Sequence, residues 1–338
     1  MREAATQASR PARGRMTNRL IAAFVAVLTV VGLTGVVAGQ ATARIGGTQV
    51  GKQEFWVNGC GMPNVKVRAW KRPGNYKTVI LLDGMRAQYD YNGWEINTNV
   101  QEMVKSGVNV VEPIGGPASF YTDWDAPSNF NGQPYRYRWN CVISRTLVSA
   151  LDARGFRVGP SKRYAIMGLS MGGNAALVIG AQNRQHFDRA GSLSGYNFLS
   201  APPGMRTALR LAMFDVDPKP WNIDAMWGGP PWSIRWFQND PLWNIGNMRG
   251  MKVFVGSGNG LFGRYNALPN VFDDLFKGST LELLAFTQSK AFEAAAFVQG
   301  VPLMTYYANG THAWGLLAGH GLERQEPRIL PLIGNRPA

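Results

Sequence analysis

The sequence predicts an α/β fold in which helices cover both faces of a mostly parallel sheet. Apolar stretches of strand length alternate with helix-length segments along the chain, which is the pattern of parallel βαβ units. One strand-like stretch, Tyr164–Met167, runs directly into Gly-x-Ser-x-Gly at residues 168–172 and then into a helix-like segment rich in small residues. With 338 residues, 45% of them hydrophobic, the chain can form one large domain of this class.

The elements can be assigned in order along the chain. Residues 55–67 are predicted to be an antiparallel hairpin, and the apolar run 78–82 is predicted to be a central strand buried on both faces. The other predicted strands are 108–113, 164–167, 190–194, 251–255 and 301–307, and the predicted helices are 99–106, 144–153, 174–181 and 280–299. Residues 200–245 contain five tryptophans among prolines and glycines, which indicates an insertion within the single domain 44–338. Its tryptophans either shelter a lipid or pack in the core.

The first 43 residues have the pattern of a secretory signal peptide. Several arginines precede an apolar run from Leu20 to Gly39, and Ala41-Thr42-Ala43 is a small-x-small cleavage site. An uncleaved membrane anchor is the alternative, since about 20 apolar residues can just span a bilayer. Without residues 1–43, which carry five arginines and one glutamate, the net charge of +14 falls to +10.

A basic exported protein suits an anionic cell-wall or membrane surface. The basic residues are scattered and form no nucleic-acid-binding motif, so we expect no nucleic-acid partner. In an oxidising compartment the two cysteines, Cys60 and Cys141, predict one disulfide, and two free buried thiols are the alternative. Three histidines and no C-x-x-C pair argue against a metal site, and Gly256–Gly260 lacks the spacing of a dinucleotide fingerprint. The sequence therefore predicts no cofactor.

The strand-turn-helix context of Ser170 is typical of a nucleophile elbow. A Cβ at Gly168 or Gly172 would collide with the neighbouring strand or helix, and the turn would place the serine hydroxyl over a helix N-terminus. A nucleophilic serine needs a base, and His312 directly follows the last predicted strand, which is where a fold of this class places its catalytic base. His186 and His320 are the alternatives. The order Ser, acid, His along the chain is that of α/β-hydrolases.

The acid and the oxyanion hole are harder to place. The segment Gly256–Val271 contains no carboxylate, so the candidates for the acid are Asp273, Asp274, Glu282 and Glu293. The oxyanion hole needs two backbone N–H groups, one from the residue after the nucleophile and one from the loop after the strand 78–82. These are Met171 and Met85.

Several longer motifs resemble those of a known family. They lie at residues 81–88 (LLDGMRAQ), 90–98 (DYNGWEINT), 119–124 (SFYTDW), 168–171 (GLSM), 226–228 (MWG), 239–241 (NDP) and 309–314 (NGTHAW). Together they resemble the secreted mycolyltransferases of the antigen 85 family from mycolate-bearing actinobacteria. The resemblance covers about residues 55–315.

The resemblance implies an α/β-hydrolase fold without a cofactor and a Ser-Glu-His triad of Ser170, Glu282 and His312, with the oxyanion hole at Met85 and Met171. The positions that match the family's contacts to the trehalose head group are Asp83, Arg86, Asn97 and Trp314. The implied reaction moves a mycolyl group from trehalose monomycolate, through an acyl-serine, to a sugar hydroxyl of trehalose or arabinogalactan. We expect a monomer that works at the cell envelope. A secreted carboxylesterase and a catalytically inactive adhesin are the alternatives.

Overall fold

An eight-stranded sheet forms the centre of the fold. The computed structural model describes residues 51–200, 204–229, 233–263, 266 and 277–314, within one unit that spans Gln40–Ala338. The strands are β1 (Gly51–Val57), β2 (Val65–Lys71), β3 (Lys77–Leu82), β4 (Val108–Pro113), β5 (Tyr164–Leu169), β6 (Phe187–Leu193), β7 (Lys252–Gly258) and β8 (Leu303–Ala308). Their spatial order is β1-β2-β4-β3-β5-β6-β7-β8. The predicted signal peptide, residues 1–43, lies outside the described residues.

The sheet is parallel except for β2, which runs antiparallel to both of its neighbours, β1 and β4. Every residue of β3, β4 and β5 is buried. Successive residues of β3 alternate between two hydrophobic cores, with Val79 and Leu81 in one and Ile80 and Leu82 in the other. Both faces of the central strands are therefore covered, and the predicted mostly parallel α/β architecture is confirmed.

Eleven helical segments are described, and most lie between successive strands of the sheet. They are α1 (Gly93–Asn97), α2 (Val100–Lys105), α3 (Trp139–Cys141), a π-helical turn (Val142–Leu147), α4 (Val148–Ala153), α5 (Met171–Gln182), α6 (Gly204–Phe214), α7 (Asp224–Trp227), α8 (Arg235–Gln238), a 3-10 turn (Ile245–Met248) and α9 (Ser279–Val298). Helix α5 is buried along most of its length because its residues are small. A Cβ added at Gly180 would lie 3.1 Å from the Ala190 Cβ on β6, so the helix packs closely on the sheet.

The Trp-rich segment predicted as an insertion contributes helices α6, α7 and α8 between β6 and β7. Trp221, Trp227 and Trp236 are buried, and the rings of Trp227 and Trp236 meet edge to face with centroids 4.9 Å apart. Trp243 is exposed, and Trp232 lies outside the described residues. For these three buried tryptophans, packing in the core is therefore the role that the structure supports.

The disulfide predicted from the cysteine count is present. It joins Cys60, in the connection between β1 and β2, to Cys141 at the end of α3, with the Cα atoms 6.2 Å apart. The bridge ties the antiparallel edge of the sheet to a helix that packs on the larger core. Within the described part of the chain, no helix has both the length and the apolar character needed to cross a membrane.

Candidate active site

Ser170 lies at a sharp turn between β5 and α5. Its backbone has φ +52° and ψ −122°, and its N–H donates to the Leu193 carbonyl on β6 at 2.7 Å. A Cβ at Gly168 would lie 2.3 Å from the Gly172 backbone, and one at Gly172 would lie 2.4 Å from the Asp83 carbonyl oxygen. Both predicted collisions are confirmed. The positive φ is strained for a non-glycine residue, and the surrounding backbone contacts hold the serine in this conformation.

His312 approaches Ser170 from a loop beyond β8. The His312 N–H donates to the Gly278 carbonyl at 3.0 Å, which anchors this loop to the start of the segment that leads into α9. The Nε2 atom lies 2.9 Å from the Ser170 Oγ, and the Nδ1 atom lies 2.6 Å from the Glu282 Oε2. An ionised carboxylate can only accept, so we assign the proton to Nδ1, and Nε2 is then the acceptor of the serine proton.

Glu282 is fully buried in the first turn of α9. Its Oε1 atom accepts hydrogen bonds from the Ser194 hydroxyl and from the Gly258 N–H, both at 2.5 Å, and the Ser257 hydroxyl lies 3.1 Å away. The Ser257 hydroxyl lies closer to the Gly258 carbonyl, at 2.7 Å, so the Ser194 hydroxyl and the Gly258 N–H are the two donors that stabilise the buried carboxylate, and Oε2 is left for His312. Among the acids that sequence reasoning left open, the structure brings this one to the histidine.

The other candidates lie elsewhere or outside the described residues. The His186 carbonyl accepts from the N–H of Tyr164, the first residue of β5, whereas Ser170 follows the last residue of that strand. His186 is therefore at the opposite end of the sheet. Glu293 pairs with Lys290 at 2.5 Å on α9. Asp273, Asp274 and His320 are not among the described residues.

The two methionines predicted to supply oxyanion-hole amides contact the same loop. Met171 is the first residue of α5, and Met85 lies in the loop after β3, three residues beyond the last residue of that strand. The Phe120 N–H donates to the Met171 sulfur at 3.1 Å, and the Ala118 N–H donates to the Met85 carbonyl at 2.9 Å. Both main-chain segments are therefore held beside the turn that contains Ser170, and the role of their amides stays a prediction.

Of the four predicted sugar-contact residues, Asn97 lies in the short helix α1, and Asp83 and Trp314 contact that helix. The Asp83 carboxylate accepts from the Gly93 N–H at 2.6 Å, and the Asn97 amide donates to the Gly93 carbonyl at 2.9 Å. A Cβ at Gly93 would lie 2.4 Å from the Trp314 ring and 2.7 Å from Asp83 Oδ1, so only glycine fits between them. The Trp314 ring packs edge to face against Trp94 of the same helix at 5.9 Å.

Asp83 and Arg86 differ in how well they can reach a ligand. Asp83 is buried, which raises its pKa to about 6 in spite of hydrogen bonds from the Gly93 and Gly84 N–H groups. Arg86 is exposed, and its guanidinium donates to the Asp215 carbonyl oxygen at 2.7 Å and to the Asp215 carboxylate at 3.1 Å. The structure therefore gathers Asp83, Asn97 and Trp314 and holds Arg86 in an ion pair at the surface.

Sequence reasoning missed the loop after β6, which includes Ser194 and Tyr196. The Tyr196 ring is buried and lies nearly parallel to the His312 ring, with centroids 6.2 Å apart and 17° between the planes. Burial and the negative charge of Glu282 raise the pKa of Tyr196, whereas hydrogen bonding with Ser170 lowers it. The only available signal was the position of this loop, directly after the strand that neighbours β5.

The fold and the line of contacts from a serine through a histidine to a buried glutamate define the α/β-hydrolase class. Among the described residues, no three His, Cys, Asp or Glu side chains are arranged to hold a metal ion. The Esterase family model, whose description is "Putative esterase", matches residues 61–315. The chain belongs to this family and, within it, to the antigen 85 mycolyltransferases that the following relatives represent.

Two relatives show how far this similarity extends. The diacylglycerol acyltransferase/mycolyltransferase Ag85C of Mycobacterium avium is 37% identical over 255 residues, which are 74% of this chain and 69% of the relative. The diacylglycerol acyltransferase/mycolyltransferase Ag85B of Mycolicibacterium smegmatis is 34% identical over 336 residues, which are 95% of this chain and 98% of the relative. The family resemblance inferred from the sequence motifs is therefore confirmed.

Solved structures agree with the fold. Mycobacterium tuberculosis MPT51 (FbpC1) superposes with a TM-score of 0.69 at 23% identity and covers 85% of this chain and 100% of its own. An S-formylglutathione hydrolase from Agrobacterium tumefaciens superposes with a TM-score of 0.58 at 15% identity and covers 88% of this chain and 99% of its own. At these identities the likeness supports the α/β-hydrolase fold and nothing about the substrate.

Proposed function

We propose that the protein is an acyltransferase that moves a mycolyl group from trehalose monomycolate to a sugar hydroxyl. The acceptor hydroxyl belongs either to the trehalose of a second trehalose monomycolate molecule, so that the product is trehalose dimycolate, or to cell-wall arabinogalactan. The proposal rests above all on the contacts of His312 with the Ser170 Oγ at 2.9 Å and with the Glu282 carboxylate at 2.6 Å. The names of the relatives, which are acyltransferases and mycolyltransferases, supply the substrate class.

The reaction takes two acyl transfers. The Ser170 hydroxyl gives its proton to His312 and attacks the ester carbonyl, while Glu282 stabilises the imidazolium and the Met85 and Met171 amides bind the oxyanion. The tetrahedral intermediate breaks its bond to trehalose, which leaves with the proton from His312, and an acyl-serine remains. The acceptor hydroxyl then gives its proton to His312 and attacks the acyl carbon. The bond to Ser170 breaks, and the serine oxygen takes the proton back.

Transfer competes with hydrolysis, so the acceptor sugar has to be held close while water is excluded. Trp314 offers an aromatic ring for the sugar face, and Asn97 offers an amide for its hydroxyls. Arg86 is exposed and can exchange its contact with Asp215 for a sugar oxygen. Asp83 is buried, so we infer that it serves the sugar site chiefly by holding α1.

We further propose that the protein is exported, with residues 1–43 removed after Ala43, and acts as a monomer at the cell envelope. The amino-terminal arginines, the apolar run and the small-x-small site support export. The full chain has a net charge of +14, and most of this positive charge lies outside the predicted signal peptide, residues 1–43. This charge supports attraction to an anionic envelope surface.

The test is incubation with trehalose monomycolate followed by mass spectrometry of the lipids and of the intact protein. We expect trehalose dimycolate, free trehalose and a mycolyl adduct on the wild-type protein. Ser170→Ala should form neither the adduct nor the product. The control is Ser144→Ala, which removes a hydroxyl that donates to the Asn140 carbonyl within a helix and should leave both intact.

Hydrolysis is the competing function, because the family description is that of an esterase. Release of free mycolic acid at a rate that added trehalose does not change would identify a carboxylesterase and refute transfer. A tenth or more of the wild-type activity in Ser170→Ala would mean that the nucleophile is misassigned. Covalent labelling by a fluorophosphonate that is lost in Ser170→Ala would exclude a catalytically inactive adhesin.

A further inference from the structure

The loop that follows β4 contains the motif SFYTDW at residues 119–124, to which the proposed mechanism gives no role. Three buried residues of this loop have a positive φ although none of them is glycine: Ala118 at +53°, Phe120 at +50° and Tyr121 at +45°. Each such residue costs about 1–3 kcal/mol, so the contacts around the loop have to hold this backbone in place. Strain concentrated in one buried loop indicates that the shape of the loop serves a site.

Two of these strained residues donate hydrogen bonds to the segments that carry the proposed oxyanion-hole amides. The Ala118 N–H donates to the Met85 carbonyl at 2.9 Å. The Phe120 N–H donates to the Met171 sulfur at 3.1 Å. The loop therefore contacts both oxyanion segments, and its conformation helps to set where they lie.

The Tyr121 hydroxyl joins the same loop to the beginning of the Met85 segment. The hydroxyl accepts from the Asp83 N–H at 3.1 Å and donates to the Gly115 carbonyl at 3.3 Å. Asp83 directly follows β3 and lies two residues before Met85. The three-residue segment 83–85 is therefore held at both ends, by Tyr121 at its first N–H and by Ala118 at its last carbonyl.

Tyr121 is itself held firmly in the core. Its side chain is fully buried, and its ring packs edge to face against the Trp139 ring with centroids 5.1 Å apart. Its N–H donates to the Ser119 hydroxyl at 3.0 Å. Burial raises the pKa of Tyr121 well above the usual 10, so the phenol stays neutral and can both accept and donate. Removal of the hydroxyl would take this partner away from the Asp83 N–H and the Gly115 carbonyl.

We propose that Tyr121 is a positioning residue for the oxyanion hole: its hydroxyl holds the main chain of residues 83–85 so that the Met85 amide points at the oxygen of the reacting ester. The inference deepens the proposed function, because it rests on the Met85 amide binding the oxyanion there. The tyrosine exchanges no proton and acts on the reaction only through the main chain. It serves both acyl transfers, since a tetrahedral oxyanion forms in each.

The test compares Tyr121→Phe with the matched control Tyr137→Phe in steady-state hydrolysis of p-nitrophenyl butyrate. Tyr137 is also buried, and its hydroxyl donates to the Pro117 carbonyl of the same loop at 3.1 Å. Both variants keep the ring and lose one buried hydroxyl. They differ in the main-chain group that loses its partner, which lies in segment 83–85 only for Tyr121.

A second readout is the inhibition constant of an alkyl trifluoromethyl ketone. Ser170 Oγ forms a bond to the ketone carbon, the electron pair of the C=O bond moves to its oxygen, and His312 takes the serine proton. The adduct therefore carries a tetrahedral oxyanion, and its stability reports on the oxyanion hole. A residue with a merely structural role would not change this affinity at constant KM for the ester.

We expect Tyr121→Phe to lower kcat about tenfold to a hundredfold and to raise the inhibition constant of the ketone by a similar factor, with KM close to that of the wild type. Loss of a complete oxyanion donor costs about 10²-fold to 10³-fold, and a displaced amide keeps part of that effect. Tyr137→Phe should keep kcat and the inhibition constant and lower only the melting temperature. A wild-type kcat in folded Tyr121→Phe, or equal losses in the two variants, would overturn the proposal.

Ser119→Ala decides the question if Tyr121→Phe does not fold. This variant removes the hydroxyl that accepts from the Tyr121 N–H and keeps the phenol. One hydrogen bond contributes about 1 kcal/mol, so kcat and the ketone affinity should both fall about threefold to tenfold at unchanged KM. Wild-type values of both in Ser119→Ala would then overturn the proposal.

The two proposals fail in different ways. The ester and the ketone need no sugar acceptor, so the Tyr121→Phe defect persists even if trehalose monomycolate yields only free mycolic acid and transfer is refuted. A wild-type protein that neither hydrolyses the ester nor binds the ketone would have no working oxyanion hole, and both proposals would fail.

Discussion

Glu112 provides a direct test of how the buried sheet is stabilised. It lies in β4 opposite Arg68 of β2, is fully buried, and neither carboxyl oxygen has a hydrogen-bond partner among the described residues. Burial raises the pKa of Glu112 well above the usual 4.5, and the nearby carboxylates of Glu95 and Asp83 raise it further. The positive charges of Lys52 and Arg68 act in the opposite direction and are the smaller effects.

The raised pKa fixes the sign of the pH dependence. The folded chain binds a proton at Glu112 more tightly than the unfolded chain, so stability falls as the pH rises from 4.5 to the folded pKa. The loss is about 1.4 kcal/mol of unfolding free energy per pH unit across that interval. The unpaired carboxyl adds a cost of about 1–3 kcal/mol that does not depend on pH.

We expect Glu112→Gln to remove this pH dependence. Glu112→Met should remove it as well and raise the unfolding free energy by a further ~1–3 kcal/mol, because methionine has a similar volume and no buried polar atom. The measurement is urea unfolding of each protein at steps from about pH 5 to about pH 8.5, compared with the wild type at each pH.

Glu54→Gln is the control for this series. Glu54 is exposed on β1, which β2 separates from β4, and its hydrogen bond with Arg68 lowers its pKa below 4.5. Its stabilisation is therefore complete above pH 4.5, and the difference from the wild type should be flat over the measured range. A flat difference for Glu112→Gln as well would show that the carboxyl is paired or hydrated in solution, and the reasoning would be refuted.

Three further outcomes test the rest of the structure. Replacing Cys60 and Cys141 by serine should lower the unfolding free energy by about 4–5 kcal/mol, because the bridge spans 81 residues, and unchanged urea midpoints would contradict this. Gly172→Ala should abolish fluorophosphonate labelling and cost about 1–3 kcal/mol, because its Cβ would meet a backbone oxygen at 2.4 Å. Glu282→Gln should lower kcat by about 10³-fold to 10⁴-fold, and near-normal turnover would move the acid elsewhere.

The strands could be predicted because the residues that each buried strand contributes to the core form short apolar runs in the sequence. The apolar run 78–82 became β3 (Lys77–Leu82), and the predicted strand 108–113 coincides with β4. Helix α1 was missed because its five residues follow turn-forming residues and have little helical periodicity. It is held by the Asn92 side chain, which accepts from the Trp94 N–H, and by the Asp83 carboxylate, so its stability comes from tertiary contacts.

The site could be predicted only where a short motif marks it. The glycines around Ser170 signal the turn, and the scarcity of histidine points to His312. The acid stayed open among four residues, because contact between α9 and the His312 loop depends on packing between segments far apart in the chain. Tyr196 carries no local signal at all, since a tyrosine after a strand is most often an ordinary core residue.

The backbone of Ser170 has a consequence for engineering this protein. A φ of +52° at a non-glycine residue is held against a conformational penalty of about 1–3 kcal/mol. Glycine would adopt the same backbone geometry without that penalty, but it has no hydroxyl to react. Selection for thermal stability alone will therefore tend to replace Ser170 by glycine. A screen for thermostable variants has to measure acyl-serine formation as well.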